Sequence, residues 1–246
     1  MSSILGIIPA RFGSTRFPGK ALAEIKGKSM VQRTYEQAKK CPHLDDVVVA
    51  TDDERIIDCV EGFGGKACMT SSVHVSGTDR CFEALTKQLK NFNYVVNIQG
   101  DEPFINPKQI SQLTELLKND TQLATLVKPI TTSSDIFNPN VVKAIFNIHQ
   151  EAIYFSRHPV PYGRGLEQDQ WLSNHTYHKH IGMYGYRSDV LKEITQLNAS
   201  SLEKMESLEQ LRWIESGYKI KVGITEYDSI GIDTPEDLNA ALKLFG

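Results

Sequence analysis

The most constraining feature of this chain is an apolar run at its start, Ile4–Pro9, which opens into a loop holding two glycines and three cations. Six residues without a polar side chain read as a strand buried on both faces, as in the middle of a parallel sheet. Residues 47–51, 66–69 and 94–99 are further short apolar runs. They alternate with amphipathic segments at 29–40, 53–63, 79–89 and 107–117. This alternation predicts an α/β protein with a doubly wound, mostly parallel sheet and crossover helices. Ser29 is the expected N-cap of the first helix, with Met30, Val31, Tyr35 and Ala38 facing inward. Gly64 and Gly65 close the second helix, and Pro107 opens the fourth.

The pattern changes at Leu123. Leu123–Pro129, 141–147, Ala152–Ser156 and 178–186 read as strands joined by loops or hairpins. Residues 159–173, rich in Pro, Gly and polar side chains, read as a long mobile loop. A single domain spanning 1–246 is expected, with a partly antiparallel lobe inserted at about 123–186. Residues 201–216 read as one helix with Leu202, Met205, Leu208, Leu211 and Ile214 along one face. Residues 219–225 read as a strand. A closing helix is expected over 235–245, with Thr234 as N-cap and Glu236 and Asp237 in its first turn.

Composition narrows the function. Hydrophobic residues are 40% and charged residues 23%, close to an ordinary globular protein, which speaks against a disordered, collagen-like or coiled-coil chain. The net charge of −3 speaks against a nucleic-acid partner. It leaves room for a small anion held by a local basic loop. Residues 4–8 lack the basic flank and length of a signal peptide, and no run approaches the roughly 18 apolar residues of a membrane span. Cys41, Cys59, Cys68 and Cys81 show neither C-x-x-C nor zinc spacing, so reduced thiols in a cytoplasmic protein are expected.

Three segments can carry chemistry. The loop at 9–20 places Arg11, Arg16 and Lys20 beside Gly13 and Gly19, at the edge of the sheet where ligands bind. Backbone N–H groups and cations together suit a polyphosphate. The spacing fits neither a Walker loop nor G-x-G-x-x-G. Second, the run at 95–103 leads from a buried strand through Gly100 to Asp101. Asp101 suits Mg²⁺, which prefers oxygen ligands and substrate phosphates, and suits a turn equally well. Third, Asp233 lies just outside the last helix. It reads either as a cap or as the second carboxylate of a metal site at a phosphate.

The loop IPARFGSTRFPGK at 8–20 resembles the nucleotide-binding signature of the sugar-acid cytidylyltransferases. The likeness continues through ATD (50–52), SGTDR (76–80), NIQGDEP (97–103), FNPN (137–140), YFSR (154–157), HIGMYGY (180–186), LEQLR (208–212) and GIDTPED (231–237). It is nearest to the branch that uses 3-deoxy-D-manno-octulosonate (Kdo). The resemblance implies a nucleotide-diphospho-sugar-transferase-like, Rossmann-like fold and a homodimer formed through the inserted lobe. It implies transfer of CMP from CTP to Kdo with Mg²⁺, which activates Kdo for lipopolysaccharide synthesis. In those roles Arg11, Gly13, Ser14 and Lys20 hold the triphosphate, while Thr78, Arg80 and Gln99 lie on the cytosine side. Asp101 and Asp233 ligate Mg²⁺ and act with Lys20 in catalysis. Arg157, His180, Tyr186, Glu209 and Gln210 face the sugar. Glu209 and Gln210 are expected on the helix face opposite Leu208 and Leu211.

Phe12, Phe17 and Asp79 stand where the family often has Tyr, Leu and Glu, and none of them removes an expected ligand. His178 and His180 share one strand face without a third ligand nearby in sequence, so His180 is expected to donate to substrate. Glu203, Glu206 and Glu209 also fit the wet face of a helix. The rival readings are a cytidylyltransferase for 8-amino-Kdo or sialic acid, and a non-catalytic nucleotide-sugar-binding module.

Overall fold

Strand β1 (Ile4–Pro9) is buried along almost its whole length, and the fold is arranged around it. Ile4 and Ile8 pack with Val47, Val49 and Ile110 on one face. Leu5 and Ile7 pack with Val48, Cys81 and Val95 on the other. Successive strand residues point to opposite faces, so a strand covered on both sides must be apolar throughout. The structure, a computed structural model, describes residues 2–244 apart from Thr15 and Ser229.

The strands after β1 are β2 (Glu24–Ile25), β3 (Lys28–Ser29), β4 (Asp46–Thr51), β5 (Ala67–Met69), β6 (Tyr94–Asn97), β7 (Leu123–Pro129), β8 (Lys143–Phe146), β9 (Ala152–Ser156), β10 (His178–Arg187) and β11 (Ile220–Ile224). The helices are α1 (Met30–Ala38), α2 (Glu54–Gly62), α3 (Gly77–Thr86), α4 (Pro107–Leu116), α5 (Ser133–Phe137), α6 (Trp171–Asn174), α7 (Ser188–Ile194), α8 (Ser201–Glu206), α9 (Gln210–Glu215) and α10 (Pro235–Leu244). Ser29 caps α1, accepting from Gln32 N, and the four residues expected to face inward are all buried.

The main sheet has the order β11-β7-β10-β6-β1-β4-β5, with β8 and β9 as a hairpin attached to β10. β1 pairs in parallel with β4 and β6, β4 with β5, and β7 with β11. On this path only β10 runs antiparallel to its neighbours. The mostly parallel, doubly wound sheet is therefore present. From β1 the chain moves out to β4 and β5, then returns to lay β6 on the other side of β1. That reversal opens a crevice beyond the carboxyl ends of β1 and β6, where open α/β sheets bind ligands.

Residues 123–186 contribute β7 and β10 to the sheet and β8 and β9 to the hairpin. Lys143 on β8 is fully buried. Its ammonium donates to the carbonyls of Asn138 (3.0 Å), Val141 (2.6 Å) and Arg157 (2.5 Å).

Residues 201–216 do not form the expected single helix. α8 and α9 part at Ser207, which is left-handed with φ 51°. The Glu206 carboxylate accepts from Ser156 Oγ (2.7 Å) and Arg157 N (2.9 Å) at this elbow. Leu208 and Leu211 are buried as expected, but Met205 is 84% exposed. Gln210 is buried as deeply as Leu208 and so does not lie on an opposite, open face. Apolar spacing cannot register a break that a tertiary contact imposes. Residues 159–173 are not loop throughout either. A 3₁₀ turn (Gln168–Gln170) leads into α6, whose Trp171 is buried and stacked on Tyr177. Thr234 caps α10 as expected, accepting from Asp237 N at 3.1 Å. Phe245, the expected end of that helix, lies outside the described residues. No helix among the described residues is long and apolar enough to cross a membrane.

Candidate active site

The β1 loop folds back on itself through Phe12, whose carbonyl accepts from Ser14 N and Gly19 N, both at 3.0 Å. Gly19 has φ +69°, and a Cβ there would lie 3.1 Å from the Phe12 ring. Both features favour glycine at this position. Gly13 has no such strain, and an added Cβ would meet nothing within 4 Å, so the fold itself does not demand glycine there. Across the crevice, a Cβ on Gly100 would stand 2.6 Å from the Pro9 carbonyl oxygen. The ends of β1 and β6 thus approach closely, and Asp101 follows directly.

The third segment arrives from the far end of the chain. Ile232 N donates to the Asp101 carbonyl at 2.9 Å. Ile232 and Ala241 pack against Ile25 and Met30, which docks α10 over the first loop. Asp237 Oδ2 accepts from the backbone N–H of Asp233 (3.0 Å) and Thr234 (2.9 Å), fixing the turn that carries Asp233.

These contacts place Lys20 Nζ 2.8 Å from Asp101 Oδ2 and 2.9 Å from Asp233 Oδ1. Arg16 Nη2 lies 3.0 Å from Asp233 Oδ2. Burial acts to lower the Lys20 pKa, but the charge and hydrogen bonds of Asp101 and then Asp233 outweigh it and hold the ammonium above its ordinary value. For Asp233, burial acts upward, and the hydrogen bonds and charges of Lys20 and Arg16 bring the carboxyl below its ordinary range. Arg11, Ser14, Arg80 and Gln99 line the same cleft. Arg80 is buried, with Nη1 on Thr70 Oγ1 (2.6 Å) and Nη2 on Asp52 Oδ2 (3.0 Å). Gln99 Nε2 donates to the Gly182 carbonyl at 2.6 Å, inside an irregularity of β10. His74 also lines the cleft and was not singled out from sequence.

Thr78 lies deeper, on α3, and donates to Glu209 Oε2 at 3.0 Å. That bond links the cleft to the residues expected on the sugar side. Tyr186 Oη accepts from Asn97 Nδ2 at 3.4 Å, and its ring packs edge-on against Trp213 of α9. The Tyr184 ring lies against those of His180, Tyr186 and Trp213. Gln210 and Glu209 stand at the start of α9. Burial raises the Glu209 carboxyl above its ordinary range, although Thr78 and Arg212 act against the shift. Burial lowers the His180 pKa to about 3, and its Nε2 lies 2.9 Å from Thr125 Oγ1.

Arg157 is not brought into this group. Its guanidinium donates to the carbonyls of Glu206 (2.7 Å) and Pro139 (3.0 Å). Four buried atoms in the group have no partner among the described residues: Asn97 Oδ1, Tyr184 Oη, Gln210 Nε2 and Trp213 Nε1. Buried polar atoms are normally paired, so this set marks a place for a polar ligand or ordered water. Sequence reading passed over Asn97, Tyr184 and Trp213. The period of two that puts Tyr184 on the face of Tyr186 was the available signal.

A cationic loop and two converging carboxylates at a switch point define an α/β protein built to hold a polyphosphate. A family model described as cytidylyltransferase matches residues 5–220. The 3-deoxy-manno-octulosonate cytidylyltransferase of Parabacteroides distasonis is 57% identical, over 98% of both chains. That of Bacteroides thetaiotaomicron is 56% identical, over 96% of both. A solved structure of CMP:2-keto-3-deoxy-manno-octonic acid synthetase complexed with CTP superposes with TM-score 0.92 at 40% identity, over 99% of this chain and 98% of that one. The 4-diphosphocytidyl-2C-methyl-D-erythritol synthase of Anaerococcus prevotii shares the fold, with TM-score 0.64 at 16% identity over 99% and 98% of the two chains. The chain belongs to the cytidylyltransferase family and, within it, to the 3-deoxy-manno-octulosonate cytidylyltransferases.

Proposed function

We propose that this protein transfers CMP from CTP to the anomeric hydroxyl of Kdo, releasing pyrophosphate and giving CMP-Kdo for lipopolysaccharide synthesis. The observation that carries the reading is the convergence of Lys20, Asp101 and Asp233 at the switch point of the sheet. The identity of the substrates comes from the relatives.

The residues fit the chemistry. The hydroxyl oxygen attacks the α-phosphorus, the bond to the bridging α–β oxygen breaks, and the hydroxyl proton passes to solvent. Such a displacement asks for in-line positioning and neutralisation of charge. Arg11, Arg16 and Lys20 carry positive charge to the triphosphate, and the absence of a side chain at Gly13 and the small one of Ser14 let it approach. Thr78, Arg80 and Gln99 stand on the cytosine side. Asp101 and Asp233 offer only carboxylate oxygens, which pair with Lys20 and Arg16 here and would exchange those partners for a metal ion. The described residues hold no group of three or more metal-ligating side chains. Two carboxylates suffice for Mg²⁺ shared with substrate phosphates, so the donor set fits that ion. When bound by Asp101 and Asp233, Mg²⁺ supplies a Lewis acid at the α-phosphate.

The sugar is assigned to the neighbourhood of His180, Tyr186, Glu209 and Gln210, where the unpaired polar atoms suit a polyhydroxylated ligand. Arg157 reaches it only through the elbow at Glu206, or by exchanging its carbonyl partners for the substrate carboxylate. A homodimer formed through the lobe at 123–186 is supported by Ile148, 94% exposed, and Ile153, 53% exposed, on the β8–β9 hairpin. The four free cysteines support a cytoplasmic setting.

Pyrophosphate release with CTP and Mg²⁺ tests the reading against Kdo, 8-amino-Kdo and sialic acid. Kdo is expected to give the highest kcat/KM. Preference for either other acid would move the protein to that substrate, and no release with any of them would leave the non-catalytic reading.

A further inference from the structure

His74 lies on the wall of the cleft and takes no part in the groups assigned above. Its segment leaves β5, two strands from β1 on the side away from β6. His74 therefore meets the cleft from the flank opposite Asp101, the flank that also carries Arg80. Its Nε2 is bound to Glu83 Oε2 on α3. The same oxygen accepts from Ser71 N at 2.8 Å, and Lys87 Nζ lies 2.7 Å from the other. Burial acts upward on the Glu83 carboxyl, but Lys87, Ser71 and His74 bring it down to about 2. An ionised carboxylate can only accept, so Nε2 holds a proton. In the neutral ring this leaves Nδ1 as an acceptor, because the bond made by one nitrogen sets the role of the other.

Cytosine presents an exocyclic amine, a donor, where uracil presents a carbonyl oxygen, an acceptor. We propose that His74, oriented by Glu83, reads the base by accepting from the exocyclic amine of cytosine and disfavouring uracil. The proposal rests on the reading of this cleft as the CTP site. Glu83 acts through His74 and is a positioning residue.

The test measures dissociation constants for CTP and UTP by calorimetry, with wild-type protein and two variants. His74→Phe keeps a ring and removes both nitrogens. It is expected to weaken CTP about tenfold and UTP little, as the loss of a hydrogen bond to a base edge requires. Glu83→Gln keeps an acceptor for Ser71 N but no longer imposes one ring orientation. The ratio of CTP to UTP affinity is expected to fall about threefold, with melting temperature retained. A purely structural role would weaken both nucleotides alike. That outcome, or unchanged CTP binding in His74→Phe, would overturn the proposal. If His74→Phe does not fold, the ratio in Glu83→Gln decides. Wild-type protein that fails to bind CTP would instead refute the underlying reading of the cleft.

Discussion

The hydroxyl of Thr78 donates to Glu209 Oε2 at 3.0 Å, across 131 residues of sequence. It joins the first turn of α3, beside the nucleotide cleft, to α9, beside the buried polar group. Glu209 is thereby held at Oε2, while its Oε1 lies 3.7 Å from Arg212 Nη2. Glu209→Ala is expected to raise KM for Kdo about tenfold and KM for CTP far less, in line with loss of a charged hydrogen-bonding group. Equal rises in both, read from initial rates, would place Glu209 away from the sugar.

Asp101→Asn and Asp233→Asn keep shape and remove charge. Each is expected to lower kcat by roughly 10²-fold or more, by analogy with loss of a group that stabilises a transition state. EDTA is expected to abolish turnover by the wild type, and Mg²⁺ to restore it. Near-normal kcat in a folded variant would remove that carboxylate from the metal site.

Lys143 satisfies three carbonyls from inside the core. Lys143→Met retains most of the volume but no donor. A loss of about 2 kcal/mol is expected, which lowers the melting temperature by about 5 °C in a chain of this size. An unchanged melt would mean that the carbonyls find water instead.

The His180 pKa lies near 3 in the folded protein, because burial disfavours its charge. The ordinary value is about 6.5. Between these limits the unfolded chain binds a proton that the folded one does not. The stabilisation is therefore complete above about pH 6.5 and is lost as pH falls towards 3, by up to about 1.4 kcal/mol per pH unit. Urea unfolding at pH 6 and pH 5 should show the wild type losing about 1 kcal/mol more than His180→Gln. Parallel losses would contradict the neutral imidazole.

Light scattering at micromolar concentration is expected to give twice the 27.6 kDa chain mass. Ile148→Asp together with Ile153→Asp is expected to give monomer. A wild-type monomer would refute the dimer, and a dimer untouched by both changes would refute the hairpin as its seat.

Much of the site was legible because its signals are local. An apolar run with polar breaks reports a strand covered on both faces. Ser29 and Thr234 announce helix starts, since a cap needs only its next three residues. Three cations with two glycines after a buried strand mark the ligand edge. The motifs at 97–103 and 231–237 point to Asp101 and Asp233, but on residue type alone these fit a turn and a cap equally well, and their metal role comes from the family resemblance. Residue types and short spacings suffice for the strand, the caps and the basic loop, because each depends on neighbours close in sequence.

Tertiary structure decided what those residues meet. Lys20 reaches Asp233 across 213 residues only because α10 docks over the first loop. α8 stops at Ser207 because Glu206 is held by Ser156 at the end of β9 and by Arg157 just beyond it. Arg157 itself matches a sugar-side motif, yet its guanidinium is bound to backbone carbonyls. Gly13 and Gly19 look alike in sequence, and only the ring of Phe12 and a left-handed φ separate them. Each of these outcomes is set by long-range packing and by partners for buried polar atoms, and no local periodicity encodes either.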